Sequence, residues 1–115
     1  MSRSGSAVAV APLTDLPEGR GVRVEIGDER IAVFRIGNDV YAIGDRCSHA
    51  EASLAEGDVY GIDVECPRHG SEFDLRTGEP RSLPATRPVP VYEAGIVDGM
   101  VFIDPTPTLA GEVAP

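Results

Sequence analysis

The residues of this chain best suited to metal chemistry are its two cysteines and two histidines. They form two tight pairs, Cys47 with His49 and Cys66 with His69, with sixteen residues between the pairs. Cysteine thiolate and histidine nitrogen are the ligands that suit iron–sulfur clusters and zinc. A single intervening residue makes it difficult for Cys47 and His49 to bind one metal ion. The spacing therefore favours two adjacent metals, with both cysteines on one and both histidines on the other.

Two other sites could use the same atoms, and the residues alone leave both open. Structural zinc sites take these ligands but usually have wider pairs, such as C-x₂₋₄-C and H-x₃₋₅-H. A disulfide between Cys47 and Cys66 would leave the pairing of each cysteine with a histidine unexplained. Two cysteines in 115 residues also do not make the disulfide framework of a small secreted protein.

Composition and charge exclude several classes of partner. The chain has 19 acidic and 10 basic side chains and a net charge of −9, which argues against binding to nucleic acid or to an anionic membrane surface. Residues 47–79 hold eight acids and two arginines, a net charge of −6, so the acidity is concentrated around the paired residues. This acidic segment is either a solvated surface or a means of steering the chain to basic partners.

Hydropathy indicates one domain outside the membrane. The apolar run at residues 7–13 is short and broken by Pro12, unlike a signal peptide, and no segment approaches the roughly 20 apolar residues of a membrane helix. A cytoplasmic protein is expected. The length suits a single domain.

Alternating apolar and polar residues predict short antiparallel strands in a sandwich or small barrel. The strands are expected at residues 21–26, 30–36, 40–43, 89–93 and 97–103, with turns at Gly95 and at Asp98-Gly99. Residues 47–80 read as an insertion with its own strands at 58–60, 63–65 and 71–75, followed by a proline-rich loop. One helical turn is expected at 53–56, positive φ at Gly57 and Gly70, and frayed ends at 1–5 and 105–115.

Across residues 43–91 the sequence resembles the Rieske proteins, and among them the small bacterial Rieske ferredoxins that supply electrons to oxygenases. The resemblance rests on the segments DRCSHAEASLAEGDVYG, VECPRHGSEFDLRTGEP and LPATRPVPVYE. It implies one 2Fe–2S cluster, with Cys47 and Cys66 on the inner iron and His49 and His69 on the outer iron, near the surface. Ser71 matches the serine that hydrogen-bonds a bridging sulfide.

The resemblance also implies the architecture. An all-β, antiparallel Rieske fold is expected as a single domain, 1–115. Its base, a small β-sandwich or barrel, would take strands from about residues 6–44 and 89–104. A cluster-binding subdomain would occupy about residues 45–90. Within it the proline loop would cover the cluster, with Pro84 and Ala85 approaching most closely.

Departures from the Rieske proteins of respiratory and photosynthetic complexes predict a low reduction potential. Ala52 and Arg68 stand where those proteins have two cysteines that join the cluster loops by a disulfide. Phe73 stands where they have a tyrosine that donates a hydrogen bond to a cysteine sulfur. Because such bonds raise the potential, we expect a value toward the low end of the Rieske range, about −150 mV.

The function that the resemblance implies is electron transfer and not catalysis. The chain would take one electron from a flavin-dependent reductase and pass it to a terminal non-haem iron oxygenase, as the ferredoxin component of a multicomponent dioxygenase. Those two redox proteins are the expected partners, without nucleic acid or membrane, and a shuttle is expected to be a monomer. The alternatives are a small Rieske subunit fixed in a reductase or oxygenase complex, and a non-redox module stapled by zinc.

Overall fold

Short antiparallel strands form three sheets in the computed structural model, which describes residues 7–48, 51–68, 70–81 and 87–109. The sheets have the orders β1-β10-β9, β2-β3-β4-β8 and β5-β6-β7. Two 3₁₀ turns lie at Leu13–Asp15 and Leu54–Glu56. The strands are β1 (Val8–Pro12), β2 (Gly21–Ile26), β3 (Glu29–Ile36), β4 (Asp39–Gly44), β5 (Val59–Tyr60), β6 (Asp63–Glu65), β7 (Glu72–Asp74), β8 (Val91–Tyr92), β9 (Ala94–Val97) and β10 (Met100–Ile103). The predicted all-β, antiparallel fold is confirmed.

Strand β3 is buried on both faces, because it lies in the middle layer of the molecule. Ile31 and Val33 pack with β10 in one core, which we call the base core. Ala32 and Phe34 point the opposite way into a second core, which contains both cysteines and which we call the cysteine core. The sequence pattern predicted simple alternation in this strand. The four consecutive buried residues show instead that each face has its own apolar partner.

Both ends of the described chain pair with other strands. Residues 8–12 form an edge strand that pairs with β10, from Val8 opposite Ile103, with a bulge between Ala9 and Ala11. Thr108 exchanges two backbone hydrogen bonds with Val91, at 2.8 and 2.9 Å. The predicted fraying is therefore wrong for residues 105–109. Residues 1–5 and 110–115 lie outside the described residues.

The hairpin between β9 and β10 corrects one predicted turn and confirms another. Gly95 lies inside β9, opposite Phe102, so no turn occurs there. The turn at Asp98-Gly99 is confirmed, with φ values of 52° and 79°. Positive φ at both central residues is the requirement of the tight hairpin turn that matches the strand twist.

Two glycines of the central insertion have different reasons to be glycine. Gly70 has a φ of +78°, as predicted. Gly57 has a φ of −81°, so the prediction of a positive φ is wrong there. A Cβ at Gly57 would overlap the backbone carbonyl oxygen of Glu65. Close approach of two backbone segments, not backbone conformation, thus requires glycine at position 57.

Among the described residues, no helix has the length and apolarity to cross a membrane.

Gly57→Ala should destabilise the protein by about 1–3 kcal/mol, because the added methyl must displace the backbone of β6. Gly95→Ala is the matched control, since a Cβ there meets no atom within 4 Å. The control should stay within about 0.5 kcal/mol of the parent chain. Urea unfolding followed by circular dichroism measures both. Equal stability of the two variants would contradict the close approach at Gly57.

Candidate metal centre

Two buried thiols lie in one apolar core, on two different loops. Cys47 is 3% exposed and Cys66 is 1% exposed, and both belong to the cysteine core beneath β3 and β4. In the part of the chain that the structure describes, the two cysteines are not joined by a disulfide. The disulfide alternative is therefore wrong. The two thiols remain as candidate metal ligands.

The two described parts of the first loop, residues 45–48 and 51–54, are joined by backbone hydrogen bonds. The amide of Leu54 donates to the carbonyl of Asp45 at 2.6 Å, and the amide of Cys47 donates to the carbonyl of Ala52 at 3.0 Å. Arg46 and Ser53 form a β-bridge between these two bonds. The two arms therefore pair just beyond the end of β4, where Cys47 belongs to the cysteine core.

The carboxylate of Asp45 fixes the base of this loop from inside. Its side chain is fully buried. Its Oδ1 accepts hydrogen bonds from Ser53 Oγ at 2.7 Å and from the amide of Ala55 at 2.9 Å. Its Oδ2 faces Arg30 Nη2 at 3.4 Å and Arg23 Nη1 at 3.9 Å. A buried carboxylate needs such partners, so both arms of the loop are tied to one group.

The second loop is the tight turn between β6 and β7. The amide of Cys66 donates to the carbonyl of Ser71 at 2.7 Å, and the amide of Gly70 donates to the carbonyl of Cys66 at 2.9 Å. Ser71 is fully buried beside this turn. The structure thus places Cys66 and Ser71 together, and their roles as ligand and donor stay predictions.

The proline-rich segment is attached to both loops at its ends. Ser48 Oγ, in the first loop, donates to the carbonyl of Arg87 at 2.6 Å. The amide of Arg81 donates to the carbonyl of Glu72, next to the second loop, at 2.6 Å. Pro84 and Ala85 lie outside the described residues, so their expected approach to the cluster stays a prediction.

His49 and His69 also lie outside the described residues, and the predicted pairing of histidines stays a prediction. Within the described ranges, which contain neither histidine, no three of the His, Cys, Asp and Glu side chains group closely enough to hold a metal ion. Of the four predicted ligands, only Cys47 and Cys66 therefore lie among the described residues.

The outward face of β5-β6-β7 is acidic. Glu65 lies directly opposite Glu72 across β6 and β7. Tyr60 is 54% exposed on the neighbouring strand, and the negative charges of Glu65 and then Asp58 raise its pKa. This acidic face adjoins the turn that holds Cys66.

Asp74 is the nearly buried carboxylate of the same sheet. Its hydrogen bonds with Arg76 lower its pKa, opposed by burial and helped by the positive charge of Arg81. A lowered pKa means that the ionised form is favoured by folding. This contribution to stability is complete at neutral pH and is lost as the pH falls through the lowered pKa.

Sequence reasoning did not single out Asp45, Ser48 or Arg81 for any role. The sequence offered one signal for Asp45, which is its place between a predicted apolar strand and a candidate ligand. A carboxylate is rarely buried in a protein unless it has partners. The contacts of Ser48 and Arg81 carried none, since their partners are up to 39 residues away.

Comparison with known proteins shows the family to which this chain is similar. The family model of the Rieske [2Fe-2S] domain matches residues 6–93. The 3-phenylpropionate/cinnamic acid dioxygenase ferredoxin subunit of Escherichia coli O139:H28 (strain E24377A / ETEC) is 42% identical over 98 residues, which are 84% of this chain and 92% of that protein.

Solved structures agree with the sequence match. The ferredoxin of carbazole 1,9a-dioxygenase from Nocardioides aromaticivorans IC177 has a TM-score of 0.84 and 36% identity, over 87% of this chain and 98% of that chain. A chain in a complex of reduced oxygenase and oxidized ferredoxin in carbazole 1,9a-dioxygenase has a TM-score of 0.84 and 38% identity, over 90% of this chain and 96% of that one. The expected Rieske fold is confirmed, and a Rieske domain implies a 2Fe–2S cluster. This chain belongs to the Rieske [2Fe-2S] family and is similar to the ferredoxin subunits of dioxygenases.

Proposed function

We propose that this chain is a Rieske ferredoxin that carries one electron from a flavin-dependent reductase to a terminal non-haem iron oxygenase. The similarity to ferredoxin subunits of dioxygenases supports this role, and so does the likeness to a chain found in complex with an oxygenase. The chain acts as an electron carrier and is not itself an enzyme. We further propose that it works in the cytoplasm and as a monomer.

The ligands that we propose are Cys47 and Cys66 on the inner iron and His49 and His69 on the outer iron. The observation that carries this assignment is the pair of buried thiols on two loops of one core. A thiolate in an apolar core is costly unless a positive charge accompanies it, and iron supplies that charge. The donor set therefore fits the cluster that the family implies.

When bound, the 2Fe–2S cluster accepts and releases one electron at a potential set by its ligands, its charge, hydrogen bonds to its sulfurs and its exposure to solvent. The chain's own residues control those conditions. The cysteine core keeps water from the thiols, Asp45 holds the loop of Cys47, and the buried hydroxyl of Ser71 is the proposed donor to a sulfide.

We propose that residues 45–90 form the cluster-binding subdomain and that the strands of residues 6–44 and 89–104 form its base. The separate sheet β5-β6-β7, which packs on β3 and β4 through the cysteine core, supports this division within one domain, 1–115. The base would then supply rigidity, while the subdomain presents the metal centre to partners.

His69→Ala should abolish the electron paramagnetic resonance signal typical of a reduced Rieske cluster, because the outer iron loses a ligand. Arg68→Ala is the matched control at an exposed neighbouring position and should keep the signal. Iron, sulfide and zinc analysis of the purified chain accompanies the spectra. A colourless protein that contains zinc and no sulfide would contradict the assignment.

The reduction potential of the purified protein should lie toward the low end of the Rieske range, at about −150 mV. The physical reason is the side chain at position 73, because phenylalanine cannot donate a hydrogen bond to a cysteine sulfur. A redox titration at neutral pH measures the potential. A value above about +100 mV would overturn this account of the missing donor.

Electron transfer to the true oxygenase partner should slow as salt is added, if the acids of residues 47–79 steer docking. The double variant Glu56→Gln/Asp58→Asn removes two exposed acids from that segment. Glu25→Gln/Asp28→Asn removes two exposed acids from the β2–β3 hairpin and is the charge-matched control. At low salt, stopped-flow rates should fall several-fold, up to about tenfold, in the first variant and little in the control. Electron-transfer rates that change neither with salt nor in the first variant would show that the acidic segment is only a solvated surface.

A further inference from the structure

Two aspartates lie directly opposite each other on the strands that carry Cys66. Asp63 on β6 pairs in register with Asp74 on β7. Like charges at directly opposed positions of an antiparallel pair destabilise it. Asp74 is only 5% exposed, so solvent screens this repulsion poorly. The hairpin therefore needs a positive charge between its two strands.

Arg81 supplies that charge and contacts both strands. Its Nε donates to Asp63 Oδ1 and its Nη2 donates to Asp74 Oδ2, each at 2.5 Å. Its backbone amide also donates to the carbonyl of Glu72 at 2.6 Å. One residue thus bridges the two opposed carboxylates and is bound to β7 by its main chain. The planar guanidinium suits this task, because its donors are fixed in a fork.

Arg76 is a different kind of partner for the same carboxylate. It forms an ion pair with Asp74 at 3.0 Å, and its amide donates to Asp74 Oδ1 at 2.7 Å. In the described residues it makes no ion pair with Asp63. It therefore stabilises the turn that follows β7 and does not bridge the two strands.

We infer that Arg81 is a positioning residue for the metal centre, which acts by bridging the opposed carboxylates of Asp63 and Asp74 and reducing their mutual repulsion. With one positive charge held between the two acids, their repulsion is reduced, and β6 and β7 stay paired as far as their loop end. There the amide of Cys66 reaches the carbonyl of Ser71. The link to the metal rests on the proposed function, whereas the link from Arg81 to the pairing of the strands does not.

The first experiment measures hydrogen–deuterium exchange of the holoprotein over residues 64–74. Arg81→Gln should speed exchange of these amides about tenfold or more, because the opposed acids lose their shared partner. Arg76→Gln removes one charge from the same carboxylate but leaves the bridge of Arg81 between the strands, so it should speed exchange clearly less than Arg81→Gln does. Arg81→Lys should restore part of the protection, since an ammonium keeps the charge without the fork.

The decisive variant removes the repulsion itself. Asp63→Asn in the Arg81→Gln background leaves one carboxylate where there were two. Exchange over residues 64–74 should return to within about threefold of the parent chain. The rate of iron release to a chelator, which Arg81→Gln should raise, should return toward the parent value as well. Asp63→Asn alone should behave like the parent chain. If Arg81→Gln does not fold, the double variant should fold.

Three results would overturn the inference. They are equal exchange in Arg81→Gln and Arg76→Gln, no recovery in the double variant, and a double variant that fails to fold while Asp63→Asn folds. A parent chain that binds no cluster would instead refute the proposed function. The exchange data would still decide the role of Arg81 in pairing the two strands.

Discussion

The structure depends on two central strands, β3 and β4, that are buried on both faces. One face packs on β10 and closes the base core, and the other carries the cysteine core. Phe34 and Ile43, which are fully buried in the cysteine core, each contribute about 1.5–3 kcal/mol through burial of their side chains. Because both faces share one pair of strands, the register of β3 on β4 sets where the two thiols lie relative to the base.

Two buried carboxylates stabilise segments that the apolar cores bring together. Asp45 stands beside the loop that holds Cys47, and Asp74 lies at the far end of β7, the strand that follows the loop of Cys66. Each accepts hydrogen bonds from a backbone amide and faces arginines. A carboxylate removed from water is costly unless its partners are in place, so the segments around each carboxylate have one favoured geometry. In a chain with a net charge of −9, Arg30, Arg76 and Arg81 therefore stabilise buried carboxylates close to the candidate metal centre.

Local sequence patterns predicted the parts of the structure that local forces determine. The strands Gly21–Ile26 and Asp63–Glu65 have the predicted bounds, as does the turn at Asp98-Gly99. Cys47, Cys66 and Ser71 are all buried, and their roles as ligands and donor stay predictions. The four-ligand set itself stays a prediction, because the histidines lie outside the described residues.

What the sequence could not predict depends on contacts between distant segments. Gly57 is glycine because β6 passes against it, and Thr108 is ordered because it pairs with Val91. The bridge from Arg81 to Asp63 spans eighteen residues. None of these contacts leaves a periodic signal in the chain, since each follows from the packing of one layer on another.

The central claim is that two unlike irons are held by two cysteines on one side and two histidines on the other. Mössbauer spectroscopy of the oxidised, ⁵⁷Fe-enriched protein tests it most directly, because an iron with two thiolates and an iron with two imidazoles have different electron densities. The account predicts two quadrupole doublets of equal area with different isomer shifts. A single doublet from two equivalent irons, or a protein that takes up no iron, would contradict it.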